Sequence, residues 1–242
     1  MTTIINIEPG TFGGPLRNGD LIGVANVVEH LRQTNDSKLQ FHIKDEAISP
    51  EKYVREFYSF LLNQCDYFTN NVGTESLPWR RVNIWDFRDI IGDCVKIPND
   101  KKTEFKIVVC PVFDAPYNTY RNWTKPIFER ILKQCEQQYP ENFERIICIS
   151  PNNIINLQEF DLSKWIISTD FITNINHIMT TSTFIGGDTG TSHFAWSLDK
   201  GPKELIYYNS SRGLLHTLPF YLISGKGTIK TYWLDFEGTT WG

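Results

Sequence analysis

The sequence predicts an α/β protein with mostly parallel sheets, built as two Rossmann-like halves. Three observations predict the α/β class. Short runs rich in β-branched and aromatic residues alternate with stretches whose apolar residues recur every three or four positions. The alternation breaks at the polar, proline-led PNDKKTE of 98–104 and then restarts, which places the boundary between an N-terminal domain, 1–103, and a C-terminal domain, 104–242. Glycine-rich or hydroxyl-rich segments follow the ends of apolar runs, where the strand-to-helix loops of a doubly wound sheet lie.

Taken in order, TTIINIEP (2–9) reads as a first strand, followed by the loop GTFGGPLRNGD (10–20). Leu21, Val24, Val27, Val28 and Leu31 form one helical stripe and predict a helix over 20–33. KLQFHIK (38–44) is a second strand, and Pro50 opens a helix through Gln64, proline being tolerated in a first turn. YFTNN, VNIWDF and CVKIP are weaker short strands. In the second half, FKIVVCPVF (105–113) is a strong strand, then come a helix over 126–138, strand 145–150, a short strand at 164–168 and a helix over 171–182. Strand TFIGG, a helix over 192–198 and strand 204–209 follow, with YLISGKG and TIKTYWLDF closing the chain.

The composition of the 242 residues, 40% hydrophobic and 21% charged, is that of a folded domain and excludes a disordered chain. A net charge of -4 argues against general affinity for nucleic acid or anionic membrane, so a polyanionic ligand has to be met by a local basic group. The N-terminal residues lack the basic, apolar and small-residue succession of a signal peptide, and no apolar run reaches a membrane span. The expectation is a cytoplasmic monomer without stable membrane insertion. Five cysteines, Cys65, Cys94, Cys110, Cys135 and Cys148, show no CxxC spacing and read as reduced thiols rather than zinc ligands or disulfides.

Three strand-to-helix loops carry the candidate chemistry. In GTFGGPLRNGD, Gly13, Gly14 and Gly19 either make a turn capped by Asn18 or Asp20, or let a ligand approach the backbone while Asp20 serves as a carboxylate base. In PVFDAPYNTYRNWTKPIFERIL, Arg121 precedes a helix N-terminus. It is either an exposed arginine stacked on an aromatic or a cation for a diphosphate. In GGDTGTSH (186–193), the amides freed by glycine, including Gly190, the hydroxyls of Thr189, Thr191 and Ser192, and the following helix N-terminus make a nest for phosphate oxygens. Asp188 in that loop anchors it or reaches a sugar hydroxyl, and His193 positions the loop or touches a phosphate. The other reading of the whole segment is a turn with redundant caps. Phe12, Trp79, Trp85, Tyr117 and Tyr120 are aromatics able to stack on a base or sugar, or to pack.

From Phe105 to Asn209 the chain resembles the C-terminal domain of glycosyltransferase family 9, the ADP-heptose:lipopolysaccharide heptosyltransferases, which have the two-domain GT-B fold. IVVCP…YRNWTKPIFERIL is similar to the family's strand, basic residue two positions before a tryptophan, and helix carrying a phenylalanine. ITNINHIMTTSTFIGGDTGTSHFAWSL is similar to its helix, strand and D-T/S-G-x-x-H-x-A motif, with Asp188, Thr189, Gly190, His193 and Ala195 in place. NGDLIGVANVVEHLR resembles the family's glycine-aspartate pair and first helix, which puts Asp20 on the catalytic aspartate. The resemblance implies a nucleotide diphosphate in the C-terminal half. Arg121 stands where the family has lysine, Asn152 or Asn153 stands where it has an acid contacting the nucleoside, and Asn26 replaces a helix proline. The N-terminal, acceptor-side half is shorter than the family's.

The function expected on these grounds is transfer of a sugar from a nucleotide-diphosphate donor to an acceptor hydroxyl. It needs no cofactor beyond that co-substrate and no metal, with Asp20 as general base and Arg121, Asp188, Thr189, Gly190, Thr191, His193 and Asn152 at the donor. The alternatives are a nucleotide-sugar epimerase or hydrolase of the same fold, and a non-catalytic nucleotide-binding module. The acceptor, whether glycan, lipid-linked sugar, protein or modified nucleic acid, is left open, as are the base and the sugar.

Overall fold

The structure is a computed structural model and describes residues 2–12, 14–35, 38–76, 96–113, 121–150, 156–209, 228–234 and 240–241. The chain divides into two compact units, one of Met1–Pro98 with Ser197–Asp199, the other of Asn99–Trp196 with Lys200–Gly242. Both are α/β, with strands paired in parallel except at one edge of the larger sheet. The expected short strand VNIWDF and the segment YLISGKG lie outside the described residues.

The first unit holds a three-stranded parallel sheet in the order β2-β1-β3, from β1 (Thr2–Ile7), β2 (Lys38–Ile43) and β3 (Glu75–Ser76). Ile7 pairs with Ile43 at the carboxyl ends of β1 and β2. α1 (Asn18–Asn35) connects these two strands and buries Leu21, Val24, Val27 and Val28, the stripe that period 3.6 places on one face. α2 (Lys52–Gln64) does the same with Val54, Phe57, Tyr58 and Leu61. YFTNN does not form a strand. Phe68 makes an isolated bridge to Phe41, whose N–H donates to the Tyr67 carbonyl and whose carbonyl accepts from Thr69. Of CVKIP, the first two residues lie outside the described residues, and Ile97 makes an isolated bridge to Leu198.

The second unit holds a seven-stranded sheet in the order β10-β9-β8-β7-β4-β5-β6. Its strands are β4 (Glu104–Cys110), β5 (Glu144–Cys148), β6 (Ile166–Ser168), β7 (Thr181–Gly186), β8 (Glu204–Asn209), β9 (Thr228–Leu234) and β10 (Thr240–Trp241), the last antiparallel to β9. α3 (Lys125–Gln138), α4 (Phe171–Thr180) and α5 (Gly190–Ser197) are its helices. α4 ends at Thr180, two residues earlier than the apolar periodicity suggests. The Thr181 hydroxyl donates to the Lys106 carbonyl, which ties Thr181 into the sheet as the first residue of β7. One core is built on Ile107, Val109, Ile147, Ile185 and Ile206 of the strands and on Trp123, Ile127, Phe128 and Ile131 from the start of α3. Cys65, Cys110, Cys135 and Cys148 are buried free thiols.

The order of strands decides where a ligand can sit. From β4 the chain builds outward through β5 to the edge strand β6, then returns through α4 to the other side of β4 as β7. The connections therefore diverge between β4 and β7, whose carboxyl ends pair as Cys110 with Gly186. Loops leaving neighbouring strands in opposite directions open a crevice at such a point, outside the carboxyl ends of the strands. The β4 loop carries Arg121 and the β7 loop carries Asp188.

Candidate functional site

The β7 loop starts tightly. A Cβ on Gly186 would lie 2.6 Å from the Ser192 Oγ, and one on Gly187 would lie 2.7 Å from a Val112 methyl and 3.1 Å from the Tyr208 carbonyl oxygen. Both glycines are therefore set by close packing of the strand end against its neighbours. The Ser192 hydroxyl, itself buried, donates to the Gly187 carbonyl at 2.5 Å. The Ser192 and His193 amides donate to the Thr189 carbonyl, which starts α5, and the Thr189 and Thr191 hydroxyls lie 2.8 Å apart.

These contacts sort the loop into two layers. Asp188, Ser192 and His193 are buried, whereas Thr189, Gly190 and Thr191 are only partly covered. The partly covered layer holds the α5 N-terminus, where free backbone N–H groups favour an anion. The buried layer holds the acid.

Arg121 joins the two. Its Nε lies 2.9 Å from Asp188 Oδ2, and its Nη1 donates to the Asp188 backbone carbonyl at 3.2 Å. The Asp188 side chain is 2% exposed and that of Arg121 is 27% exposed, so the pair runs from the interior outward. His193 Nε2 stands 3.8 Å from Asp188 Oδ1, too long for a hydrogen bond. Burial, and then the Arg121 charge, push the His193 imidazole down to about 4, which keeps it neutral near pH 7.

The sequence carried Arg121, Asp188, Thr189, Gly190, Thr191 and His193 as candidates. At the β4–β7 divergence, Arg121 lies in the loop after β4, Asp188 and Thr189 in the loop after β7, and Gly190, Thr191 and His193 in the first turn of α5. Trp123 is 3% exposed and braces the same place. Its indole Nε1 would be 3.2 Å from a Cβ on Gly187, and its ring meets Tyr208 edge-on at 5.6 Å between centroids. The signal for that role is the pair Gly187 and Trp123, since a glycine beside a large ring marks a close approach. Asn152 and Gly13, together with Trp79, Trp85, Tyr117 and Tyr120, lie outside the described residues. Among the described residues no three of His, Cys, Asp or Glu gather as metal ligands, and no helix is long and apolar enough to cross a membrane.

In the first unit, Asp20 is the third residue of α1, and its Oδ2 accepts the Arg17 backbone N–H at 2.9 Å. This is the return half of a capping box, in which an acid one turn in satisfies the amide that precedes the helix. Asp20 remains partly exposed. Gly14 has open space where a side chain would stand, and Gly10 takes a φ of 81°, the left-handed conformation that favours glycine, at the start of the loop.

Among solved structures, E. coli ADP-heptose lps heptosyltransferase II is similar to this chain, with 11% identity, coverage of 98% of this chain and 92% of that one, and a TM-score of 0.49. At that identity and score the likeness assigns neither a family nor an activity. No family model matches the sequence, and no curated protein matches it.

Proposed function

We propose that the chain is a glycosyltransferase that takes a sugar from a nucleotide-diphosphate donor and gives it to an acceptor hydroxyl. The observation that carries the reading is the meeting of Arg121 with the DTG loop at the divergence of β4 and β7. A guanidinium, a helix N-terminus and two threonine hydroxyls surround one partly covered surface. They make an environment for diphosphate oxygens, whose charge grows as the sugar bond breaks. The motif resemblance of GGDTGTSH and of YRNW to family 9 supports the same ligand.

In this reaction the acceptor oxygen bonds to the anomeric carbon, and its proton passes to Asp20 as general base. The bond from the anomeric carbon to the phosphate oxygen breaks, and the electron pair leaves with the nucleotide diphosphate. Arg121 and the α5 amides stabilise that departing charge in place of water. A cytoplasmic site of action fits a nucleotide-sugar donor.

A second reading, a nucleotide-binding module without transfer, is favoured by the Asp20 carboxylate, which already serves α1 as a cap. Incubation with a panel of nucleotide-diphosphate sugars, with and without acceptors, followed by chromatography of nucleotides and sugars, separates the readings. Acceptor-dependent release of a nucleotide diphosphate, lost in Asp20→Asn while donor binding persists, is the outcome for a transferase. Isomerised or free sugar without acceptor marks an epimerase or hydrolase. Donor binding with no turnover from any donor and acceptor pair rules out transfer.

A further inference from the structure

We infer that Asp188 is a positioning residue, which fixes the guanidinium of Arg121 as the anion-receiving group at the β4–β7 divergence and does not itself touch the ligand. The inference rests on the reading of that surface as a diphosphate site. It assigns the acid in the motif a role behind the site.

An acid at the mouth of an anion site is an electrostatic liability, and the geometry resolves it. The Asp188 carboxylate is 2% exposed, which leaves almost no surface for a ligand to meet. Two of the three guanidinium nitrogens of Arg121 meet this one residue: Nη1 donates to its backbone carbonyl, and Nε lies within ion-pair distance of its carboxylate. One hydrogen bond and one close ion pair to a single residue hold the guanidinium in place. Asp188 follows directly on Gly187, whose carbonyl is held by Ser192, so the holder is itself held. On the other side of the carboxylate stands His193, which is neutral and adds no competing charge.

An arginine held in this way loses little side-chain freedom when an anion arrives, whereas a free one has to be ordered by the ligand. The cost is partial neutralisation of its charge by the carboxylate. Positioning and charge thus make opposite predictions for the removal of the acid. If orientation dominates, an anion binds less well without Asp188; if charge dominates, it binds better.

The test is calorimetric titration of the full chain with inorganic pyrophosphate, using wild type, Arg121→Gln, Asp188→Asn and the double variant. The expected result is about a tenfold loss of affinity in each single variant, with the double variant no weaker than Arg121→Gln. Tighter or unchanged binding in Asp188→Asn, or a double variant weaker than Arg121→Gln, overturns the positioning role and leaves the anion site standing. Absence of pyrophosphate binding in wild type, or an Arg121→Gln variant that binds as wild type does, removes the diphosphate reading and this inference with it. A second measurement needs no folded Asp188 variant. The Arg121 Nε–H signal in nitrogen-15 spectra of wild type, assigned by its loss in Arg121→Gln, is expected to exchange with water more slowly than exposed arginines. Exchange as fast as theirs overturns the inference.

Discussion

At the scale of single residues, His193 makes the site sensitive to acid. Its imidazole is buried, and burial first, then Arg121, lowers its proton affinity to about 4. In the unfolded chain it binds a proton below about 6.5. Between these values the unfolded state holds the extra proton, so stability is complete above about 6.5 and falls with pH toward 4, by about 3 kcal/mol over the window. Urea denaturation from pH 7.5 to 4.5 should show this slope in wild type, and His193→Gln should flatten it. Equal slopes in the two proteins would show that His193 is not its source. Gly187 makes a second prediction. A methyl there meets Val112 at 2.7 Å and the Tyr208 carbonyl at 3.1 Å, so Gly187→Ala is expected to cost about 1–3 kcal/mol in thermal or denaturant unfolding. The glycines of the strand end and the acid beside them follow from the sequence alone; the burial of that acid does not. Nor does the pairing of Asp188 with Arg121, because 67 positions separate them and only the fold joins them.

At the scale of elements, the amphipathic helices were the most legible, because a 3.6-residue stripe is a local property. α2 and α3 bury the apolar positions that their spacing marks. Boundaries were less legible. The α4–β7 junction is set by a tertiary hydrogen bond from Thr181 to Lys106, which no window of sequence reveals. The start of α4 is by contrast written locally. The Asp170 carboxylate accepts from the Thr173 N–H at 2.8 Å and from the Thr173 hydroxyl at 2.6 Å, an N-cap worth about 1 kcal/mol. Asp170→Ala should lower stability by about that amount, and Asp170→Asn should lose less; equal losses would contradict the capping role. YFTNN misled because Tyr67 and Phe68 are β-formers that are buried with a single bridge to β2 instead of a ladder. Phe128 sits fully buried among the rings of Phe113, Trp123 and Phe160. Its replacement by alanine is expected to cost about 3–5 kcal/mol, read by denaturant unfolding.

At the scale of the whole molecule, the α/β class followed from alternation, and two units with mostly parallel sheets are what the structure contains. Strand order was not legible, because crossovers are chosen by packing between segments far apart in sequence. That order is what joins the β4 and β7 loops and turns two separate candidates into one surface. A polar segment such as GGDTGTSH then has a physical account in layers: a buried acid, a half-covered helix start and an arginine linking them. The central claim is that this surface binds a nucleotide diphosphate. Calorimetric titration of the full chain with ADP, GDP and UDP, repeated on Arg121→Gln, tests it most directly. The account predicts saturable binding of at least one of the three, weakened about tenfold or more in the variant. Binding of none at millimolar concentration, or equal binding by both proteins, would contradict it.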